Sequence, residues 1–191
     1  VKIVEMVLSG DLNKNIVSSI NSQGGNGVGI SGKDASLVIC EKDHPKLGFV
    51  GTPILINTKL ITTLVENDFI PVISPIGTNE KGETFNINAD TMAGSIASAL
   101  KADRLLLLTD VEGVKDKNGE KIEKAPLKEI KKLINQNIIK DGMIPKVNTA
   151  IDAIEKGVRA VVILDGSIQN ACLLELFTDH GVGTLIREEI D

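Results

Sequence analysis

The chain has 191 residues, 42% of them hydrophobic but only 2% aromatic, with no Trp or Tyr and a formal net charge of −5. A core built from Val, Ile, Leu and Ala suits a parallel sheet buried between helices, and the length fits one domain or two small lobes. The scarcity of aromatic stacking platforms and the negative net charge argue against nucleic acid as a partner.

Helices and strands are predicted to alternate along the chain. Leu12, Ile16 and Ile20 recur every four residues, and Gly24-Gly25 ends that pattern as a helix cap would. Residues 27–30 read as a short strand. Strands at 36–41 and 48–52 flank a polar turn, which predicts a hairpin. Leu60, Ile61, Leu64 and Val65 share one helical face behind a Thr58 cap. Residues 70–74 read as a buried strand, 79–82 as a turn and 89–100 as a helix of small residues. The four leucines within 104–109 read as the central strand of a sheet. Leu127, Ile130, Leu133, Ile134 and Ile138 mark another helix, and Val147, Ile151 and Ile154 the next, closed by Gly157. A strand at 160–164, a helix at 169–177 and a strand at 183–186 complete the chain. The alternation predicts an α/β fold, a mostly parallel sheet with helices on both faces, with a weak boundary near 100–103.

Cys40 and Cys172 lie in apolar runs and read as two buried free thiols. Only His44 and His180 accompany them, without metal-ligand spacing, so no metal site is expected. No apolar run approaches the ~20 residues of a membrane helix, and no signal peptide is visible, so no membrane partner and a cytoplasmic location are expected. The chain opens at Val1 without a Met.

Two glycine patterns are decoys. Gly27-Val28-Gly29-Ile30-Ser31-Gly32 matches the dinucleotide pattern, and Gly27 with Gly32-Lys33 nearly matches a P-loop. Both motifs need a helix directly after the glycines, so that phosphate meets its N-terminus. Here a helix precedes them and a strand follows. Asp34 also stands where a P-loop needs Ser or Thr. A glycine-rich turn between strands is the plainer reading.

Three segments carry more chemistry. Asn86-Ile87-Asn88-Ala89-Asp90 leads from a turn into a helix, so its two amides and carboxylate either converge on a polar ligand or cap the helix. Leu108-Thr109-Asp110-Val111-Glu112-Gly113-Val114 ends a strand, where open α/β sheets bind ligands, although an unremarkable strand end would look much the same. In Gly142-Met143-Ile144-Pro145-Lys146 a lysine stands near a helix start, against the dipole preference; a bound anion would remove that conflict, and a solvated lysine is the plainer reading.

Taken in order, these segments resemble the acetylglutamate kinases of the amino-acid kinase family. The resemblance also rests on Glu5-Met6-Val7-Leu8-Ser9-Gly10, Ser31-Gly32-Lys33-Asp34, Gly48-Phe49-Val50-Gly51, Ile163-Leu164-Asp165-Gly166 and Leu174-Glu175-Leu176-Phe177-Thr178-Asp179. It implies a three-layer αβα sandwich around a mostly parallel central sheet. Residues 1–101 would belong to an acetylglutamate-binding N-lobe and 102–191 to a nucleotide-binding C-lobe. The implied reaction moves the γ-phosphoryl group of ATP, with Mg2+, to the side-chain carboxylate of N-acetyl-L-glutamate, a step of arginine synthesis. By the same resemblance Asn86 and Asn88 contact the acetylglutamate, Asp90 holds the catalytic lysines, and Lys146 is one of them. Asp110, Val111, Glu112, Gly113, Val114, Lys115, Ile138, Ile139, Lys140 and Gly142 would line the nucleotide. A homodimer or higher homo-oligomer is implied. The chemistry is consistent: a carboxylate with a pKa near ~4 is already ionised and needs no general base, and phosphoryl transfer needs positioning and positive charge.

The sequence also departs from the family. The family's opening lysine, glycine-rich phosphate loop, paired glycines and substrate arginine are not present, so the start of the enzyme is expected to be missing and the 191 residues alone to bind ATP weakly without turnover. Asp141 stands where the family has a glycine, and Val162 where arginine-inhibited members carry a His. Rival readings are a sister kinase acting on acetylaminoadipate, carbamate, aspartate or UMP, and a non-catalytic nucleotide-binding module.

Overall fold

The computed structural model describes residues 1–178 and 181–189; Asp179, which ends one of the segments above, and His180 lie outside them. The chain divides into two compact units, Val1–Ile96 and Ala97–Asp191.

The first unit opens with α1 (Lys2–Glu5), a π-helical stretch (Met6–Leu12) and α2 (Asn13–Ser22), which run on in right-handed helical conformation through Met6 and Asn13. The wider π turn shifts the side-chain period, so the four-residue repeat was legible only from Leu12. Its apolar positions are not the buried ones: Leu12 and Ile16 stay exposed, while Asn13 is buried. Asn13 Nδ2 donates to the carbonyls of Ile30 (3.3 Å) and Val72 (2.8 Å), which satisfies its amide. Those carbonyls belong to β1 (Gly27–Ser31) and β4 (Ile70–Ser74), a parallel pair forming a sheet of its own. With two strands only, β4 is less buried than its sequence suggests, and Ile70 is exposed.

The expected hairpin is β2 (Val38–Lys42) with β3 (Gly51–Ile56), antiparallel. After α3 (Lys59–Glu66), β5 (Ile76–Thr78) and β6 (Thr84–Asn86) form a second hairpin, giving a sheet in the order β3-β2-β5-β6. Its turn is held by Asn79, whose Oδ1 accepts the N–H groups of Lys81 and Glu83. Thr58 precedes α3 but makes no side-chain cap; Asn57 Oδ1 takes the Lys59 N–H instead, at 3.3 Å. The core of this unit holds Leu37, Val38, Ile76, Phe85 and Ile87.

The helix of small residues is α4 (Ala89–Leu100), within which the two units divide. In the second unit β7 (Leu105–Thr109), β8 (Lys124–Pro126), β9 (Val161–Asp165) and β10 (Thr184–Arg187) form one sheet in the order β7-β9-β10-β8. The expectation that the leucine strand is central is corrected here. In this sheet β7 is an edge strand with Leu108 48% exposed, and β9, fully buried from Val161 to Leu164, takes the middle. Four leucines in a row signal apolar surroundings, not sheet position. β8 was not expected, because three residues ending in Pro126 are too short to carry an alternating pattern. The helices are α5 (Leu127–Asn135), α6 (Met143–Glu155) and α7 (Ala171–Phe177). Asn137, at φ +55°, lies beyond the end of α5, so Ile138 is past the helix it was expected to join. Gly157, at φ +101°, follows α6 as a C-terminal glycine should. Cys40 is buried as expected, but Cys172 is only half-buried, since α7 keeps Leu173, Leu174 and Leu176 exposed too.

Candidate functional site

In the first unit, Asn86 ends β6 half-buried and Asn88 precedes α4 exposed. The Asn88 Oδ1 accepts the Thr91 N–H at 3.1 Å and the Thr91 hydroxyl at 3.3 Å, so this amide caps the helix. Asp90 follows, half-buried in the first turn. The glycine decoys resolve as a turn. β1 ends at Ser31, a short 3-10 turn (Asp34–Ser36) follows, and β2 begins at Val38. Asp34 Oδ2 accepts the Ser31 N–H (2.7 Å) and hydroxyl (2.8 Å). Lys33 Nζ meets Glu5 Oε1 at 2.8 Å and donates to the Thr84 hydroxyl at 3.0 Å, two residues before Asn86.

In the second unit, β7 and β9 run parallel, with Thr109 in register with Asp165, so their carboxyl ends lie side by side. That is where open α/β sheets bind ligands. Residues 110–115 leave this edge. Asp110, Val111, Glu112 and Lys115 are exposed, whereas Gly113 and Val114 turn inward and are buried. Gly113 has φ +142°, and a Cβ there would come within 2.5 Å of Thr184 Oγ1. The same hydroxyl accepts the Val114 N–H at 2.9 Å and donates to the Ile122 carbonyl at 2.6 Å. Of six expected ligand-lining residues, two therefore anchor the turn and four face outward. Thr184 was missed by sequence reasoning; the only signal was a Thr opening a short strand after glycine.

Residues 138–142 approach α6. Ile138 is half-buried, Ile139 buried and Lys140 exposed. Asp141 sits at φ +48°, a left-handed conformation that a glycine adopts without strain, which gives a backbone reason for the glycine the resemblance expects. Gly142 precedes α6, Pro145 fills its first turn and Lys146 follows, half-buried. A helix start with a lysine favours an anion. A cleft of about 780 Å³ in this unit is lined by Asp116, Lys117, Pro126, Leu133, Gln136 and Ile138 among others. It joins the flank of the 110–115 turn to Ile138, with apolar walls and polar edges suited to a small ligand. Another depression, of about 400 Å³, lies at the opposite end of the sheet among Arg104, Arg159 and Arg187, where Arg159 pairs with Asp103 at 2.6 Å in full solvent view. Among the described residues, no group of three or more His, Cys, Asp or Glu is placed to hold a metal ion, and no helix is long and apolar enough to cross a membrane.

The model of the amino acid kinase family matches residues 1–165. The chain belongs to the amino acid kinase family. Within it, the chain is 58% identical over 189 residues to an acetylglutamate kinase of Ruegeria pomeroyi, covering 99% of this chain and 66% of that one. It is 56% identical to an acetylglutamate kinase of Dinoroseobacter shibae, over 98% of this chain and 65% of that one. The chain thus spans just under two thirds of the length of these curated relatives. Among solved structures it resembles smu.665 of Streptococcus mutans UA159, with a TM-score of 0.79 and 30% identity over 97% of this chain and 70% of that one. The carbamate kinase of Giardia shares the fold, with a TM-score of 0.73 at 19% identity over 98% of this chain and 72% of that one. The α/β class with parallel strand pairs is that of this family, although among the described residues hydrogen bonding groups the strands into three sheets.

Proposed function

We propose that the protein phosphorylates the side-chain carboxylate of N-acetyl-L-glutamate with ATP, giving ADP and an acyl phosphate. The observation that carries this reading is 58% identity to an acetylglutamate kinase across 99% of the chain. In this account, residues 1–101 belong to the lobe that takes acetylglutamate, through Asn86 and Asn88, and residues 102–191 to the lobe that takes the nucleotide. The exposed part of 110–115, together with Ile138, Lys140 and Gly142, faces the nucleotide, with the buried Ile139 packed behind them, and the cleft beside Ile138 offers an apolar wall for its base. Lys146 at the start of α6 supplies positive charge to the transferring phosphoryl group, and Asp90 orients the catalytic lysines.

The chemistry asks little else of the chain. The acceptor carboxylate is ionised at neutral pH, so positioning and charge neutralisation carry the transfer. Mg2+ enters with ATP as the ion of its phosphates, since such sites take one or two protein carboxylates at most. A cytoplasmic homo-oligomer without nucleic-acid or membrane partners completes the proposal. Side-by-side kinetics on N-acetylglutamate and N-acetylaminoadipate test it. A kcat/KM at least tenfold higher for acetylglutamate supports it, and a preference for the longer acid overturns it.

A further inference from the structure

The turn that we assign to the nucleotide is held at both ends. Thr184 fixes its far end at Val114. Its near end leaves β7 at Thr109, and there the neighbour is the turn after β9. The Gly166 N–H donates to the Thr109 carbonyl at 2.8 Å, one residue past the register pair Thr109–Asp165. Gly166 lies close over Leu108, so that a Cβ on it would stand 3.2 Å from Leu108 Cβ. What bends the chain at Gly166 is Asp165: its Oδ1 accepts the Ser167 N–H at 2.8 Å, and the Ser167 hydroxyl bonds the same carboxylate. The Asp165–Ser167 contact thus spans Gly166, whose own N–H bonds the carbonyl of Thr109, the last residue of β7 before the turn. On the other side of that residue, the Thr109 hydroxyl donates to Asp110 Oδ1 at 3.1 Å.

We propose that Asp165 is a positioning residue for nucleotide binding, acting through Gly166 on Thr109 to aim the 110–115 turn. This rests on the nucleotide role given to that turn above. The alternative is a local turn that merely starts the connection to α7. The two differ in what a variant does: loss of a local turn lowers stability and spares ligand affinity, whereas loss of an aiming contact weakens nucleotide selectively. The Ser167 bonds hold the Asp165 carboxyl below its ordinary 3.8, so the contact is present at every pH at which the enzyme would be assayed.

The test measures ADP affinity by calorimetry, together with the KM for ATP and for N-acetylglutamate. It compares the unchanged protein with Asp165→Ala, Asp165→Asn and Ser167→Ala, each confirmed folded by its melting curve. Asp165→Ala removes a charge-assisted contact and should weaken ADP and raise the KM for ATP by about tenfold, with the acetylglutamate KM unmoved. Asp165→Asn, which keeps an acceptor for the Ser167 N–H, should recover most of the loss. Equal ADP affinity in the unchanged protein and Asp165→Ala overturns the inference, as does an equal rise in both KM values. If Asp165→Ala does not fold, Ser167→Ala decides by the same ratio, with a smaller expected shift. An unchanged protein that binds no ADP overturns the nucleotide reading itself.

Discussion

The Thr184 hydroxyl stands between Val114 and Ile122, accepting the N–H of the first at 2.9 Å and donating to the carbonyl of the second at 2.6 Å. Thr184 and Val114 are fully buried, so neither backbone group has water as an alternative. Thr184→Val keeps the shape and removes both bonds. Leaving a buried N–H unsatisfied costs ~1–3 kcal/mol, so the melting temperature should fall by several degrees. Thr184→Ser should restore most of it. Unchanged melting in Thr184→Val would show that the hydroxyl does not hold the turn.

Gly77 lies in β5 against Cys40, and a Cβ on it would stand 2.5 Å from the sulfur and 2.8 Å from Ile87 Cδ1. Gly77→Ala should overpack this core and cost ~1–3 kcal/mol. Adding Cys40→Ala should recover part of that loss, because it removes the atom in the way. Additive losses in urea denaturation of the double variant would refute the contact.

The two thiols should respond differently. Burial pushes Cys40 from an ordinary 9.0 up to about 11, whereas Cys172 is half-buried. A disulfide-exchange reagent at pH 8 should therefore titrate Cys172 quickly in the native protein and Cys40 only after denaturation. Because the folded pKa is raised, the stability that Cys40 contributes is complete below about 9 and is lost as pH rises through about 11. Cys40→Ala should flatten that alkaline decline in a pH series of melting curves. Fast labelling of both thiols in the folded protein would contradict the burial.

Lys146→Ala and Asp90→Asn test the charge assigned to the site. In the protein carrying this chain, each should lower kcat by ~10² or more, about 2.7 kcal/mol of transition-state stabilisation, with little change in melting. For Lys146→Ala the fall in kcat should exceed the rise in the KM for ATP. An Asp90→Asn protein that unfolds yet keeps activity per folded molecule would make Asp90 a helix residue only.

Local structure was largely legible in the sequence. The 89–100 helix coincides with α4, and the strand at 70–74 with β4. Long-range arrangement was less so. The leucine run within 104–109 could not reveal that β9 would take the middle of the sheet, because strand order depends on crossovers. The stretch before Leu12 was silent because a π turn breaks the helical period. At the candidate site, resemblance pointed to 110–115 as one block. The structure separates outward Asp110, Val111, Glu112 and Lys115 from inward Gly113 and Val114, a distinction made by Thr184, some 70 residues away. Contacts across such a span leave no local pattern to read.

The reaction itself is the most direct test. The protein carrying this chain is mixed with ATP, Mg2+ and N-acetylglutamate, and hydroxylamine traps any acyl phosphate as the hydroxamate. The account predicts hydroxamate that forms only with all three present, at ordinary enzyme rates of roughly 1–10³ per second, and about 10²-fold or more slowly in Lys146→Ala. Hydroxamate from aspartate or hydroxyurea from carbamate in place of acetylglutamate, or ATP hydrolysis without hydroxamate, would contradict it.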